Sequence, residues 1–233
     1  VYGTYKNNNY CNIEIDLENR IIKLPKLKKM KIRGYRNTKS INGRILNATV
    51  SKEPTGKYYV SVLYEMHDKI NEVTPTSIVG IDLGVKNLLT LSTGETYQNN
   101  KYLLKYEKRI KRMQRALSRK VKGSKNYYKC KQKLATLHSK LTNARKHYIH
   151  KITKDITDEY DIITCEKLHT KEMIMDGKKS TLSKNINDAS FNEILRRLEY
   201  KSKFKGKQFY QIYGYYPSSQ ICSTCDNQDK KYK

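Results

Sequence analysis

The sequence predicts an α/β layered fold, and three observations carry that prediction. Three short strand-like runs follow one another between residues 78 and 98. Two long amphipathic patterns of helical period fill about 101–157. A strand, a helix and a further strand then run on to Tyr213. The order β-β-β, long helices, β, helix, β suits a sheet layered with helices.

A β-rich segment, residues 1–72, comes first. Ile13, Ile15 and Leu17 alternate with polar neighbours, and Glu18-Asn19-Arg20 reads as a turn into Ile21–Leu24. Leu46, Ala48 and Val50 alternate in the same way. After Glu53-Pro54-Thr55-Gly56 so do Tyr58, Val60, Val62 and Tyr64, which predicts a hairpin over 44–65. Lys26 to Lys31 adds basic charge. Such a segment is either a small solvated barrel or sheet, or a basic β-module that grips a phosphate backbone.

Asn71 to Ser77, with Pro75, is the expected boundary to a second domain, 73–216. Ile78-Val79 leads into Gly80-Ile81-Asp82-Leu83-Gly84, a second apolar run spans Leu88–Leu91, and Glu95–Gln98 follows a turn at Ser92-Thr93-Gly94. Leu103, Tyr106, Ile110, Met113, Leu117 and Val121 then mark a helix of about 21 residues, ~30 Å long. Gly123-Ser124 breaks it. Tyr127, Cys130, Leu134, Leu137, Leu141, Ala144, Tyr148 and Ile152 repeat the helical spacing. Ile162–Glu166 reads as a buried strand ending in an acid. Ser190-Phe191-Asn192-Glu193 has the pattern of a capping box. It opens a helix with Phe191, Leu195, Leu198 and Phe204 on one face, Gly206 as its stop and a strand over Gln208–Tyr213 beyond.

Charge narrows the partners. The chain holds 48 Lys and Arg against 22 Asp and Glu, a net +26, and so large a field favours polyanions. An anionic membrane is the rival partner, but no apolar run approaches the ~18 residues a span needs, and no signal peptide is evident. Five cysteines are too few for a disulfide framework, which points to a reducing, cytoplasmic setting. Between Lys101 and Lys154 there are 19 Lys or Arg and one acid, Glu107. Charge this one-sided repels itself until a polyanion neutralises it. Lys105, Arg109, Arg112, Arg115, Arg119, Lys120, Lys122, Lys125, Arg145 and Lys146 are the candidate nucleic-acid contacts.

Two acids stand where apolar strands should end. Asp82 is flanked by Gly80 and Gly84, and Glu166 closes the run Ile162–Glu166. A buried carboxylate is costly unless hydrogen-bonded, paired or ligated. Were the two strands adjacent, the acids would repel unless a cation sat between them. Hard oxygen ligands without histidine point to Mg²⁺ or Mn²⁺ and to phosphodiester hydrolysis. An Asp-x-Gly turn after a strand also occurs in actin-like ATPases, the rival reading, although no glycine-rich phosphate loop accompanies it here. Cys222-Ser223-Thr224-Cys225 has the spacing of half a zinc site.

Taken in order, Val79–Asn87, Ser118-Arg119-Lys120 with Gly123–Asn126, Asn143–Lys146, Cys165–Leu168, Leu198–Lys201 and Pro217–Cys225 resemble TnpB, the OrfB-type transposase family of small insertion sequences, related to type V CRISPR effectors. The resemblance runs from about residue 40 onward. It implies an RNase H-like (RuvC) core with inserted long basic helices, a β-barrel-like wedge domain over 1–72 and a partial zinc ribbon over 217–233. It implies an RNA-guided DNA endonuclease whose partners are DNA and a guide RNA. Asp82 and Glu166 would be catalytic metal ligands, and Cys222 and Cys225 the first zinc pair. The family continues with a second cysteine pair and a third catalytic Asp. Neither follows here, and Asp226 and Asp229 come too early for that role; Asp226 stands where the family has Gly. The chain begins at Val1 and ends at Lys233, so a fragment lacking both ends is expected. Zn²⁺ would bind only if the second pair were supplied. With two of three acids, this polypeptide is expected to hold nucleic acid without cutting it, whether as a nuclease fragment or as a degenerate binding remnant.

Overall fold

The alternation in the first segment is realised as strands. A computed structural model describes residues 2–3, 12–34, 43–66, 70–166 and 189–212. It falls into two compact units, residues 1–69 with 113–139 and residues 70–112 with 140–233.

In the first unit, β1 (Tyr2–Gly3), β5 (Gly43–Lys52) and β6 (Tyr58–Met66) form one antiparallel sheet. A second antiparallel sheet comprises β2 (Glu14–Asp16), β3 (Ile21–Leu24) and β4 (Lys28–Lys31). One apolar cluster of Ile13, Ile22, Leu24 and Ala48 serves both. Asp16 organises the β2–β3 turn by accepting the Asn19 backbone N–H at 3.0 Å. The β5–β6 turn closes where the Gly56 N–H donates to the Glu53 carbonyl at 2.9 Å. Gly56 sits at φ +84°, a region open to glycine.

The second unit is built on five strands: β7 (Ile78–Leu83), β8 (Asn87–Leu91), β9 (Thr96–Gln98), β10 (Ile162–Glu166) and β11 (Gln208–Ile212). Their order across the sheet is β11-β10-β7-β8-β9. β7, β8 and β9 form an antiparallel meander, whereas β10 runs parallel to β7 and β11 parallel to β10. Parallel neighbours need long crossovers. The first contains α1 (Tyr102–Ser118) and α2 (Lys125–Glu159), and the second contains α3 (Phe191–Phe204). Val79, Ile81 and Leu83 of β7, with Ile163 and Cys165 of β10, point to one face. There they pack with Ile149, Ile152 and Ile156 of α2 and Ile194 and Leu198 of α3.

Three expectations are corrected. The first helix ends at Ser118, so it has 17 residues and spans about 26 Å. Val121 lies beyond it and is 77% exposed. Lys120 N–H closes a turn onto Leu117 O, and the Ser124 hydroxyl caps α2 by accepting the Tyr127 N–H at 3.1 Å. The capping box at Ser190 does not form. Ser190 is left-handed (φ 55°) and its hydroxyl makes no cap bond, while the Glu193 carboxylate is taken by Arg196 and Arg197. Phe204, expected on the apolar face of α3, is 61% exposed. Gly206 does stop the helix. It adopts φ +69°, and a Cβ there would lie 1.9 Å from the Asn71 carbonyl oxygen.

Candidate active site

Strand alternation decides where Asp82 points. Because Val79, Ile81 and Leu83 take the helix-covered face, Ile78, Gly80 and Asp82 take the other. Asp82 is therefore exposed rather than buried, and the argument from carboxylate burial does not apply to it. The glycines at its sides have separate reasons. The Gly80 N–H donates to Ser92 Oγ at 3.1 Å. A Cβ at Gly84 would come within 2.7 Å of the Asn87 carbonyl oxygen, so only glycine permits that turn.

Glu166 ends β10, the strand beside β7. Thr164 pairs with Gly80 and Cys165 with Ile81, so Glu166 comes level with Asp82 one residue further on. Both belong to the face opposite the helices, since Cys165 and Ile81 are buried beneath them. Neighbouring strands lie ~4.8 Å apart, which brings the two carboxylates side by side at the C-terminal ends of parallel strands. Thr90 opposite Asp82 and Ile212 opposite Glu166 complete the row. Among the described residues neither acid has an ion-pair or hydrogen-bond partner.

A third acid shows what a satisfied carboxylate looks like in this fold. Asp161 accepts hydrogen bonds from the Thr76 N–H at 3.0 Å, the Thr76 hydroxyl at 2.8 Å and the Ser77 hydroxyl at 3.3 Å. It also pairs with Lys207 at 3.1 Å. The bonds from Thr76, then that from Lys207, hold its carboxyl well below the usual range. Asp161 is a structural clasp; among the described residues nothing engages Asp82 or Glu166 in this way.

Two hard oxygen donors side by side fit Mg²⁺ or Mn²⁺ as part of a coordination shell. No group of three or more His, Cys, Asp or Glu able to hold a metal occurs among the described residues. Cys222, Cys225, Asp226 and Asp229 lie outside the described residues.

The candidate cations are mostly where a polyanion could meet them. Lys105, Arg109, Arg112 and Arg115 are exposed on α1, Arg119, Lys120 and Lys122 on the following turn, and Lys125 and Lys146 on α2. None has a carboxylate partner among the described residues. Glu107 pairs with Lys111 instead, at 2.7 Å. Arg145 differs: it is partly buried, with its Nε shielded from solvent.

Sequence reasoning missed a second basic group. Arg197, Lys201 and Lys205 lie at i, i+4 and i+8 on α3. Lys201 Nζ donates to the His150 carbonyl at 2.7 Å and to Thr153 Oγ1 at 2.9 Å. Lys205 Nζ reaches Thr157 Oγ1 at 2.8 Å. Their four-residue spacing was the available signal, but charge at such spacing ordinarily marks a solvated face. It also missed Tyr210 and Ile212 of β11, which share the face of the acid pair.

A mixed α/β sheet of this order is a fold class shared with solved Cas12f structures. The chain matches the fold in a structure titled "Cryo-EM structure of the Cas12f1-sgRNA-target DNA complex" with a TM-score of 0.54. Identity there is 21%, covering 82% of this chain and 40% of that one. In sequence the chain resembles the OrfB (TnpB-type) transposase family. Residues 61–175 match the OrfB_IS605 model, described as "Probable transposase". Residues 191–233 match the Cas12f1-like TNB domain. A relative from Escherichia coli (strain K12), named "Putative RNA-guided DNA endonuclease InsQ", is 35% identical over 231 residues, 94% of this chain and 56% of that protein. One from Streptomyces pristinaespiralis, named "Putative RNA-guided DNA endonuclease", is 36% identical over 181 residues, 76% of this chain and 43% of its own length. The chain spans about half the length of the curated relatives it matches. No helix among the described residues is long and apolar enough to cross a membrane.

Proposed function

We propose that this chain supplies the RNase H-like core and basic helices of an RNA-guided DNA endonuclease. Asp82 and Glu166 are its metal-ligating acids, and a guide RNA and its DNA target are its partners. The observation that carries the reading is the neighbouring placement, at the ends of adjacent strands, of two carboxylates that have no ion-pair or hydrogen-bond partner among the described residues. Like charges on neighbouring strands are destabilising, and a cation held between them would relieve that repulsion. A bound Mg²⁺ or Mn²⁺ would activate water and stabilise the leaving oxygen of a phosphodiester.

The chain's own residues do the rest. Asp82 and Glu166 fix where the ion sits relative to the sheet. Gly80, lacking a side chain, lets a sugar–phosphate backbone approach. The exposed cations of α1 and the start of α2 hold the nucleic acid through its phosphates, reading shape rather than sequence. In the same reading residues 1–72 form a wedge-like domain, and Cys222 and Cys225 form half of a zinc ribbon that needs a second cysteine pair. With two family acids in place, residues 1–233 bind nucleic acid far better than they cut it.

The test is guided cleavage by a chain that also carries the family's third acid. Asp82→Ala and Glu166→Ala are each expected to slow cleavage about a thousandfold, the loss of several kcal/mol of charge stabilisation. Undiminished cleavage by either variant would refute the assignment.

A further inference from the structure

Beside the acid pair the sheet face changes character. One row below Asp82 and Glu166 the side chains are small: Ser92 bonded to Gly80, Gly80 itself, and Thr164, whose hydroxyl turns inward to donate to the Val79 carbonyl at 3.2 Å. A Cβ on Gly80 would fill part of this space, in contact with Ser92 and Thr164 at 3.6–3.7 Å. The row is walled on the β11 side by Tyr210, which pairs with Thr164 and is 53% exposed, and by Ile212 beside Glu166, 47% exposed. The Tyr210 hydroxyl donates to Gln208 Oε1 at 2.9 Å, so the ring is tethered along its strand. From Gly80 to Tyr210 is two strand spacings, ~10 Å, wide enough for one nucleotide.

We propose that Tyr210 is a positioning residue: its ring stacks on a base of the single DNA strand presented to Asp82 and Glu166, while Gly80 and Thr164 leave room for that nucleotide's sugar. This rests on the reading of the acid pair given above. A single strand is the partner that fits, because its bases are free to stack on an aromatic face, whereas those of a duplex are stacked on each other. The adjoining carboxylates repel phosphate, so an apolar and aromatic contact is what this face can offer a strand in the absence of a cation. Ile212 extends the contact past Glu166.

The experiment is photocrosslinking of residues 1–233 to a short single-stranded DNA carrying 5-iododeoxyuridine, with and without Mn²⁺, followed by peptide mapping. The adduct is expected on Tyr210, strengthened by Mn²⁺, kept at the same position in Y210F and lost in Y210A. Y210A should also weaken binding of the strand about fivefold or more. An adduct yield unchanged in Y210A, or lost equally in Y210F, would overturn the proposal and leave the acid pair's role standing. Failure of the wild-type chain to bind the strand at all would overturn the functional reading as well.

Discussion

Asp82 and Asp161 are the same residue type in the same unit, and their surroundings give them opposite tasks. Asp161 lies where α2 turns into β10 and gathers two hydroxyls, a backbone N–H and Lys207. Its carboxyl pKa is depressed in the fold, so its stabilisation is complete above the unfolded value of ~3.9 and fades as pH falls through the folded one. Asp161→Asn is expected to lower the denaturation midpoint at neutral pH and to flatten the fall of stability below pH ~4, read by urea titrations across that range. The sequence pointed to Asp82 because an acid beside two glycines interrupts an apolar run. It could not show the exposure, since Ile78–Leu83 reads as uniformly buried until alternation is applied to a sheet covered on one face. Asp161 went unnoticed because its partners are 84 or more residues earlier, or 46 later, in the chain.

Among the elements, α3 illustrates both success and failure of pattern reading. Its apolar stripe and its glycine stop were legible, because Phe191, Leu195 and Leu198 recur at helical spacing and Gly206 follows. Its start at Phe191 was legible too, but the capping box was not realised, because it depends on Ser190 adopting an extended backbone and that residue is left-handed. Gly206→Ala is expected to destabilise by about 2 kcal/mol or more, through a left-handed alanine and its clash with Asn71, measured by chemical denaturation. Lys201 sets a second expectation. Burial, then the nearby cations Arg197 and Lys205, outweigh Asp158 and Asp155 and lower its pKa from 10.5 to about 8. The unfolded chain thus binds more protons between those values, and stability should rise with pH across roughly 8 to 10.5. Lys201→Met should remove that rise while folding normally; an unchanged rise would show that Lys201 is not its source. Strand order across the sheet was beyond the sequence, because β7 and β10 are brought together by a crossover of more than 70 residues rather than by a local turn.

At the scale of the whole molecule, charge and fold agree. A net +26 is costly to confine and is relieved by phosphate. Binding to duplex or single-stranded nucleic acid should weaken steeply with salt, with a log–log slope of about −0.9 per duplex phosphate or −0.7 per single-strand phosphate neutralised. Reversal of Arg109 and Arg112 to Glu should reduce that slope by about two; an unaltered slope would move the contact elsewhere. The α/β class and the two strand-end acids were legible because both follow from local pattern, whereas the adjacency of β7 and β10 and the clasp at Asp161 join distant segments and were not.

The same positive field makes divalent cations poor general ligands for this protein, so a specific site should stand out against a low background. The most direct measurement is therefore Mn²⁺ binding by electron paramagnetic resonance, comparing the wild-type chain with Asp82→Asn and Glu166→Gln. The account predicts a weak Mn²⁺ site in the wild type that either substitution abolishes. Equal Mn²⁺ binding by all three proteins would contradict it.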